Sequence, residues 1–468
     1  MTTDTNVLAE WQASYGRGNF QAVVTAFEAR LSDAPSAELR QIAAQSYHQL
    51  GDSDAAVALF VAAAEQYAGK QSVNASICLA NAFALLSRQR LAAAAEFVAL
   101  SSLMLPTPCD AQVNIVRNLA GSYINRGDWT LASAALVAAS RYASTRALAL
   151  SSLLEFATRE DQSGANTADA RVGPDNADVA PKVSVIVCSI DDARFAAFRA
   201  DCAVAFAGDS YEIIRINDAR SMCEGYNRGM VDASGDILIF CHDDIELLFT
   251  GGATRLARAL TTADIICCVG SNECLGPAWI HSSVASMQGS MAMPMDDGRY
   301  VVSLVGVPDD RRTIRTGDGF FIACRAEVAR ELRWDDSTFT HFHMYDSDFF
   351  MRASNAGFRV QVASTLPVSH RSPGAYDERW LHEAEKFNQK HGTRSPSVNP
   401  PNPWVAMYVA DRPGATRCLA QLELLTSPSW RKTLTKHRAE ISSRAISESP
   451  PLTALTHLHR PEFLLETH

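Results

Sequence analysis

Apolar residues recur at three- and four-residue intervals through positions 1–158, the spacing that lines one face of an α-helix. Alanine and leucine dominate, and only Pro35, Pro106 and Pro108 interrupt before Pro174, so an entirely helical domain is expected here. The rhythm then breaks. "REDQSGANTADARVGPDNADVAP" (159–181) holds almost no large apolar residue and reads as a flexible linker. From residue 182 the apolar positions come in short β-branched runs: "KVSVIVCSI" (182–190), "YEIIRIN" (211–217), "DILIFC" (236–241) and "ADIICCVG" (263–270). With helical stretches between them, these predict an α/β domain on a largely parallel sheet over 182–395. Residues 396–468 begin irregularly ("PSVNPPNPW"), turn helical near 413–446 and end past "SESPPL", an extension to which the pattern assigns no role.

The helical region repeats itself. "SYGRGNFQAVVTAF" (14–27), "SYHQLGDSDAAVALF" (46–60) and "SYINRGDWTLASAAL" (122–136) each place an aromatic, then a glycine, then a new helix, and "AFALLSRQRLAAAAEF" (82–97) is a degenerate copy. Gly18 and Gly51 are 33 residues apart, and Gly51 and Gly127 are 76 apart, about two further units. This resembles tetratricopeptide repeats, helix–turn–helix units of ~34 residues that stack into a solenoid with a concave binding face. A plain helical bundle is the other reading of the same periodicity.

Length and composition narrow the class. A chain of 468 residues exceeds one ordinary core, and 47% hydrophobic with 20% charged residues is globular. The net charge of −10 argues against sequence-independent nucleic-acid binding. No window reaches the ~20 apolar residues of a membrane span, and "MTTDTNVLAEW" lacks the basic-then-apolar pattern of a secretory signal. A cytoplasmic protein is expected. The eleven cysteines form no C-x-x-C pair and are expected to be reduced core thiols.

Ligands of open α/β sheets bind outside the carboxyl ends of the strands. The first strand runs into "SIDDARF" without glycine, which excludes a dinucleotide turn, and there is no P-loop. The informative stretch is "ILIFCHDDIEL" (237–247), where a buried strand runs into Asp243 and Asp244. Adjacent carboxylates repel, and burial adds to the cost; a divalent cation such as Mg²⁺ or Mn²⁺ removes the conflict and counters a diphosphate. A strand-end turn with a helix cap is the bland alternative.

Residues 183 to about 390 resemble the GT-A glycosyltransferases, especially the inverting bacterial branch that includes the streptomycin-biosynthesis-type domain. In that fold a D-x-D motif ends a central strand and holds the nucleotide-sugar diphosphate through Mn²⁺ or Mg²⁺. "HDD" (242–244) occupies its place, with His242 in the position of the leading aspartate. The resemblance implies Asp244 and His370, in "PVSHRSPG" (367–374), as metal ligands. It implies Ser189, Asn217, Tyr226, Asn227, His242, Asp243 and Trp279 around the nucleotide sugar, the last in "LGPAW" (275–279). "GDGFFIACRAE" (317–327) resembles the Gly-rich strand near the acceptor, and "HFHMYDSDFFMRASNAGFRV" (341–360) the helix start that supplies the catalytic base.

Transfer from a nucleotide sugar passes through an oxocarbenium-like state, and the acceptor hydroxyl needs a base. Asp346 is expected in that role, with Asp348 as a second carboxylate or as a partner of Arg352 at i+4. Asp346 as a helix cap, His370 as a structural histidine and Trp279 as core packing are the competing readings. At the level of the chain, the expectation is a metal-dependent inverting glycosyltransferase with a nucleotide-diphosphate sugar donor. The acceptor would be a protein or glycan docked on the repeats, a surface protein such as flagellin being one analogy. A non-catalytic repeat scaffold is the first alternative, favoured by His242. A metal-dependent hydrolase using His343, Asp346, Asp348 and His370 is the second.

Overall fold

The computed structural model describes residues 4–105, 109–141, 143–158, 180–307, 313–372, 374, 377–395, 402–426 and 429–459. The linker expected over 159–181 therefore lies almost wholly outside the described residues. The chain forms two compact units, one from 1–149 with 428–468 and the other from 150–427.

In the first unit α1 (Asp4–Gly16), α2 (Phe20–Glu28), α3 (Ala37–Gln49), α4 (Ser53–Ala68), α5 (Ser72–Arg88), α6 (Ala92–Leu103), α7 (Val113–Asn125) and α8 (Trp129–Ala139) follow one another, and α9 (Ala143–Thr158) runs on past the unit's boundary. Helices pack mainly on their sequence neighbours, in the manner of a solenoid of helical hairpins. The turns explain the repeat. Gly18, Gly51 and Gly127 have φ of 76°, 88° and 71°, a conformation that glycine adopts without a Cβ penalty. Asp52 and Asp128 then cap the next helix, accepting from the Ala55 and Leu131 N–H groups at 3.0 and 3.1 Å. In the degenerate copy Arg90 takes this place with φ 60°, so the turn survives without its glycine.

Two helices break the rule of one apolar face. Every residue from Ala93 to Leu103 in α6 and from Leu131 to Ala139 in α8 is buried, which requires cover on both sides. Part of that cover comes from the far end of the chain. Helix Trp430–Glu448 packs on α6 and α8, and the 3₁₀ segment Pro450–His459 packs on α4. Glu448 accepts from the Ala94 N–H at 2.9 Å, capping the start of α6. Glu96 of α6 receives Arg126 at 2.9 and 3.3 Å and His437 at 2.7 Å. Burial works to raise its carboxyl, yet His437 and Arg126 hold it down at about 2. Residues 430–459, part of the extension that the sequence pattern left without a role, are thus core of the helical unit.

The second unit holds β1 (Val183–Cys188), β2 (Tyr211–Ile216), β3 (Ile237–Cys241), β4 (Ile245–Leu247), β5 (Ile265–Cys267), β6 (Val269–Ser271), β7 (Met287–Pro294), β8 (Tyr300–Gly306), β9 (Thr316–Gly317), β10 (Phe321–Arg325), β11 (Val360–Val362), β12 (Val368–His370) and β13 (Val405–Val409). One sheet has the order β11-β5-β10-β3-β1-β2, and a second joins β13-β8-β7-β12-β4, with β6 beside β7 and β9 beside β6. The expected largely parallel sheet is mixed, because β10 lies antiparallel between β3 and β5. It returns from an excursion through the second sheet and not through a crossover helix. The expected strand 263–270 divides at Cys268 into β5 and β6, one in each sheet. From Ile265 to Val269 that run is apolar throughout, so its periodicity carried no mark of the break.

Alternation along the central strands sorts the core. Val183, Val185, Ile237 and Ile239 face one cluster with helix Asp192–Ala205, while Ile186, Leu238 and Phe240 face another with helices Met222–Asp232 and Tyr345–Asn355. Among the described residues no helix is long and apolar enough to cross a membrane. All eleven cysteines are unpaired, and burial pushes the thiol of Cys188 up to about 12.

Candidate functional site

Strand direction brings the candidate residues to one edge. β1, β2 and β3 are parallel, so Ser189, Asn217 and His242 follow their carboxyl ends together. β10 pairs antiparallel to β3 with Phe321 opposite Cys241, so the turn 317–320 reaches the same edge. β12 pairs with β4 with His370 opposite Ile245, which sets His370 beside Asp244.

His242, Asp244 and His370 converge, with one donor atom from each within 4.8 Å of the others. His370 Nε2 lies 3.4 Å from Asp244 Oδ1, and His242 Nδ1 lies 3.3 Å from His370 Nε2 and 3.8 Å from Asp244 Oδ1. Two ring nitrogens that close need a proton or a cation between them. The other nitrogen of His242 meets the Tyr345 hydroxyl at 2.6 Å, and the Phe320 ring stacks on His370 at 4.7 Å. Outer contacts of this kind fix ring orientation in metal sites. Burial, with His370 adding to it, pushes His242 down to about 4, a neutral imidazole suited to ligation. Burial works to raise the Asp244 carboxyl, but His370 and His242 lower it on balance. The donor set of two imidazoles and one carboxylate fits a divalent cation.

Asp243 turns the other way. Its Oδ2 accepts from Ser189 Oγ at 2.8 Å, and its Oδ1 lies 3.6 Å from Arg194. The repulsion between neighbouring carboxylates is relieved by divergence, each with its own partners.

Helix Tyr345–Asn355 begins at this edge. Asp346 accepts from the Gly319 N–H at 2.9 Å and from the Ser347 N–H at 2.8 Å. Burial, followed by the negative charge of Asp318, pushes its carboxyl up to about 7. Asp348, two residues on, points about 200° around the helix. It is 1% exposed and binds Arg352 at 2.7 Å, His391 at 2.8 Å and Lys390 at 2.6 Å. Burial works to raise it, but these partners hold it below its ordinary value. Asp348→Asn should therefore destabilise the fold by about 3 kcal/mol at neutral pH, since it removes the buried partner of two partly buried cations, Arg352 and Lys390. The lowered carboxyl contributes stability above the ordinary Asp value and loses it as pH falls through the folded value, so the gap between the two proteins should close in acid. Denaturant unfolding of both at pH 7 and pH 3 checks this.

Other expected residues go elsewhere. Tyr226 is fully buried and donates to the Cys241 carbonyl at 3.2 Å. Asn227 exchanges hydrogen bonds with the Trp334 backbone at 2.8 and 3.0 Å and reaches Asp336 at 3.1 Å. The polar groups of both side chains are engaged within the protein: Tyr226 packs against Tyr345 beneath the edge, and Asn227 is turned to Trp334 and Asp336. Trp279 is 6% exposed, with its indole N–H on Asp318 at 3.2 Å and its ring edge against Trp404. Asn217 is exposed. The hydrolase grouping is not assembled, because Asp348 has other partners and His343 lies 3.7 Å from Asp377. Sequence reasoning missed His242 as a member of the donor cluster, Tyr345 behind it, and Asp318 with Gly319 beside Asp346. The position of His242 in "HDD" was the available signal for the first.

Residues 184–397, just under half of the chain, match the family described as "Glycosyltransferase like family". No curated protein matches the chain. Among solved structures it is similar to GalNAc-T7 with UDP, GalNAc and Mn²⁺ at 9% identity and a TM-score of 0.29, over 48% of this chain and 47% of that one. It thus spans about half the length of that protein. It is also similar to the mannosyltransferase PcManGT from Pyrobaculum calidifontis in complex with GDP-Man and Mn²⁺, at 11% identity and a TM-score of 0.31, over 72% of this chain and 100% of that one. The α/β unit has a mixed-sheet, nucleotide-sugar-transferase-like fold, and the family match lies within it.

Proposed function

We propose that this chain is a metal-dependent inverting glycosyltransferase that moves a sugar from a nucleotide-diphosphate donor to a hydroxyl acceptor. The observation that carries the reading is the meeting of the His242–Asp244–His370 cluster with Asp346 at one sheet edge, joined by the turn 317–320. A cation held by the three donors would supply Lewis-acid stabilisation to the leaving diphosphate. Ser189, Asn217 and Asp243, at the strand ends nearby, are suited to the nucleotide. Asp346 takes the proton of the acceptor hydroxyl as it attacks the anomeric carbon from the face opposite the diphosphate, which inverts that centre. A carboxyl near 7 is matched to that task at neutral pH.

The helical unit, read as tetratricopeptide-like, recruits a protein acceptor and raises its concentration at the site. A surface protein of the flagellin kind in the cytoplasm fits this reading. Calorimetry of the full chain with nucleoside diphosphates and nucleotide sugars, with and without metal, tests it. At least one should bind in Mn²⁺ and fail to bind in EDTA; a panel without metal-dependent binding sinks the reading. Because two of three donors are nitrogen, Mn²⁺ should outperform Mg²⁺ by about tenfold or more in the same titration.

A further inference from the structure

The turn 317–320 has a carboxylate that the reading above leaves unused. Asp318 accepts from the Trp279 indole N–H at 3.2 Å and from the Phe320 N–H at 3.2 Å, so both of its oxygens are held. The next peptide donates the Gly319 N–H to Asp346 at 2.9 Å. The two carboxylates therefore flank one peptide unit, and their separation is set by backbone. Gly319 has no room for a side chain: a Cβ there would meet the Tyr345 ring and come within 2.7 Å of Asp346 Cβ. Phe320, in turn, stacks on His370, and its carbonyl accepts from the His242 N–H at 3.1 Å.

We propose that Asp318 is a positioning residue for sugar transfer, a second carboxylate paired with Asp346 across Gly319 that acts on the acceptor proton through it. The proposal rests on the reading of Asp346 as the base. Like charges at short range disfavour ionisation of one of them, which makes that partner the better proton acceptor. Asp348, which the sequence offered as the second carboxylate, cannot do this from the opposite side of the helix among cations. The other titratable groups facing Asp346 are Tyr345 on its own helix, Tyr226 on helix Met222–Asp232 and Cys267 on β5. Burial raises all three well above their ordinary values, so they stay neutral at working pH. Asp318 is the carboxylate that faces Asp346 across Gly319 and works to raise it.

The test is a carboxyl titration of the full chain labelled with ¹³C-aspartate, with the Asp346 signal assigned from Asp346→Asn. In the parent protein its midpoint should lie near neutrality, and in Asp318→Asn it should fall by about one pH unit. Asn keeps an acceptor for one of the two donors, Trp279 or Phe320, so thermal unfolding of the variant is measured beside the titration to separate a fold defect from the effect. Asp318→Ser, matched by thermal unfolding, gives the same comparison should the Asn variant misfold. A midpoint in the ordinary carboxylate range, or one that Asp318→Asn leaves unmoved, overturns the proposal. The pH–rate profile separates this from the reading beneath it. A midpoint that moves without the profile following would retire Asp346 as the base while leaving the pair intact.

Discussion

Asp346→Asn should cut sugar transfer by about 10²–10⁴-fold, the usual worth of a general base, while nucleotide and Mn²⁺ affinities stay within about twofold. The amide keeps the shape and one oxygen that accepts from either Gly319 or Ser347, and it loses the ability to take a proton. In the parent protein the rate should rise with pH and level off above about 7, the value to which burial and Asp318 push this carboxyl. The variant should show no such inflection. Stability should move the other way. A raised carboxyl means that the folded protein keeps a proton that the unfolded chain releases near 4, so Asp346 erodes stability as pH climbs from about 4 through about 7. Asn escapes that penalty and should be more stable at pH 8 by about 1–3 kcal/mol, allowing for solvent on its open side. Loss of activity with a gain in melting temperature would mark strain kept for function. Full turnover in Asp346→Asn would remove the base assignment.

Asp244→Ala and His370→Ala should each weaken Mn²⁺ binding by the protein alone by at least about 100-fold, since even outer-shell changes cost 10–100-fold. His242→Ala should fall in the same range, because its Nδ1 faces the cluster. Asp243→Ala is the internal control. Its carboxylate serves Ser189 and Arg194, so Mn²⁺ affinity should stay near that of the parent protein. Paramagnetic titration of Mn²⁺, with circular dichroism to confirm folding, separates the four. A result in which Asp243→Ala loses the ion and Asp244→Ala keeps it would reverse the assignment of the pair.

The sequence made the elements legible wherever one rule decided them. β1, β2 and β3 are buried runs with strong β propensity, and the Gly–Asp turns of the helical unit mark a left-handed residue followed by a cap. Arg90 shows the limit, since its turn takes a left-handed residue without the glycine that marks the others. Site residues separated along the same line. Asp244 and Asp346 were legible because each ends or starts an element at the sheet edge. Tyr226 and Asn227 lie in the expected segment, but a helical face chooses core or cleft by rotation, which motif order does not record. His242 and Asp318 were obscure for another reason. Their partners, His370 and Trp279, are distant in sequence and meet them through the antiparallel pairings of β12 with β4 and of β9 with β6.

The helical unit is written in two instalments. Residues 4–139 emerge first, but helix Trp430–Glu448, which covers α6 and α8, follows the whole α/β unit. At 5–20 residues per second, the roughly 290 intervening residues take on the order of 15–60 s to synthesise. During that interval the alanine-rich flanks of α6 and α8 lack a cover that the finished fold supplies. A premature stop near residue 427 would therefore do its first damage at the opposite end of the message, in the helices that were made earliest.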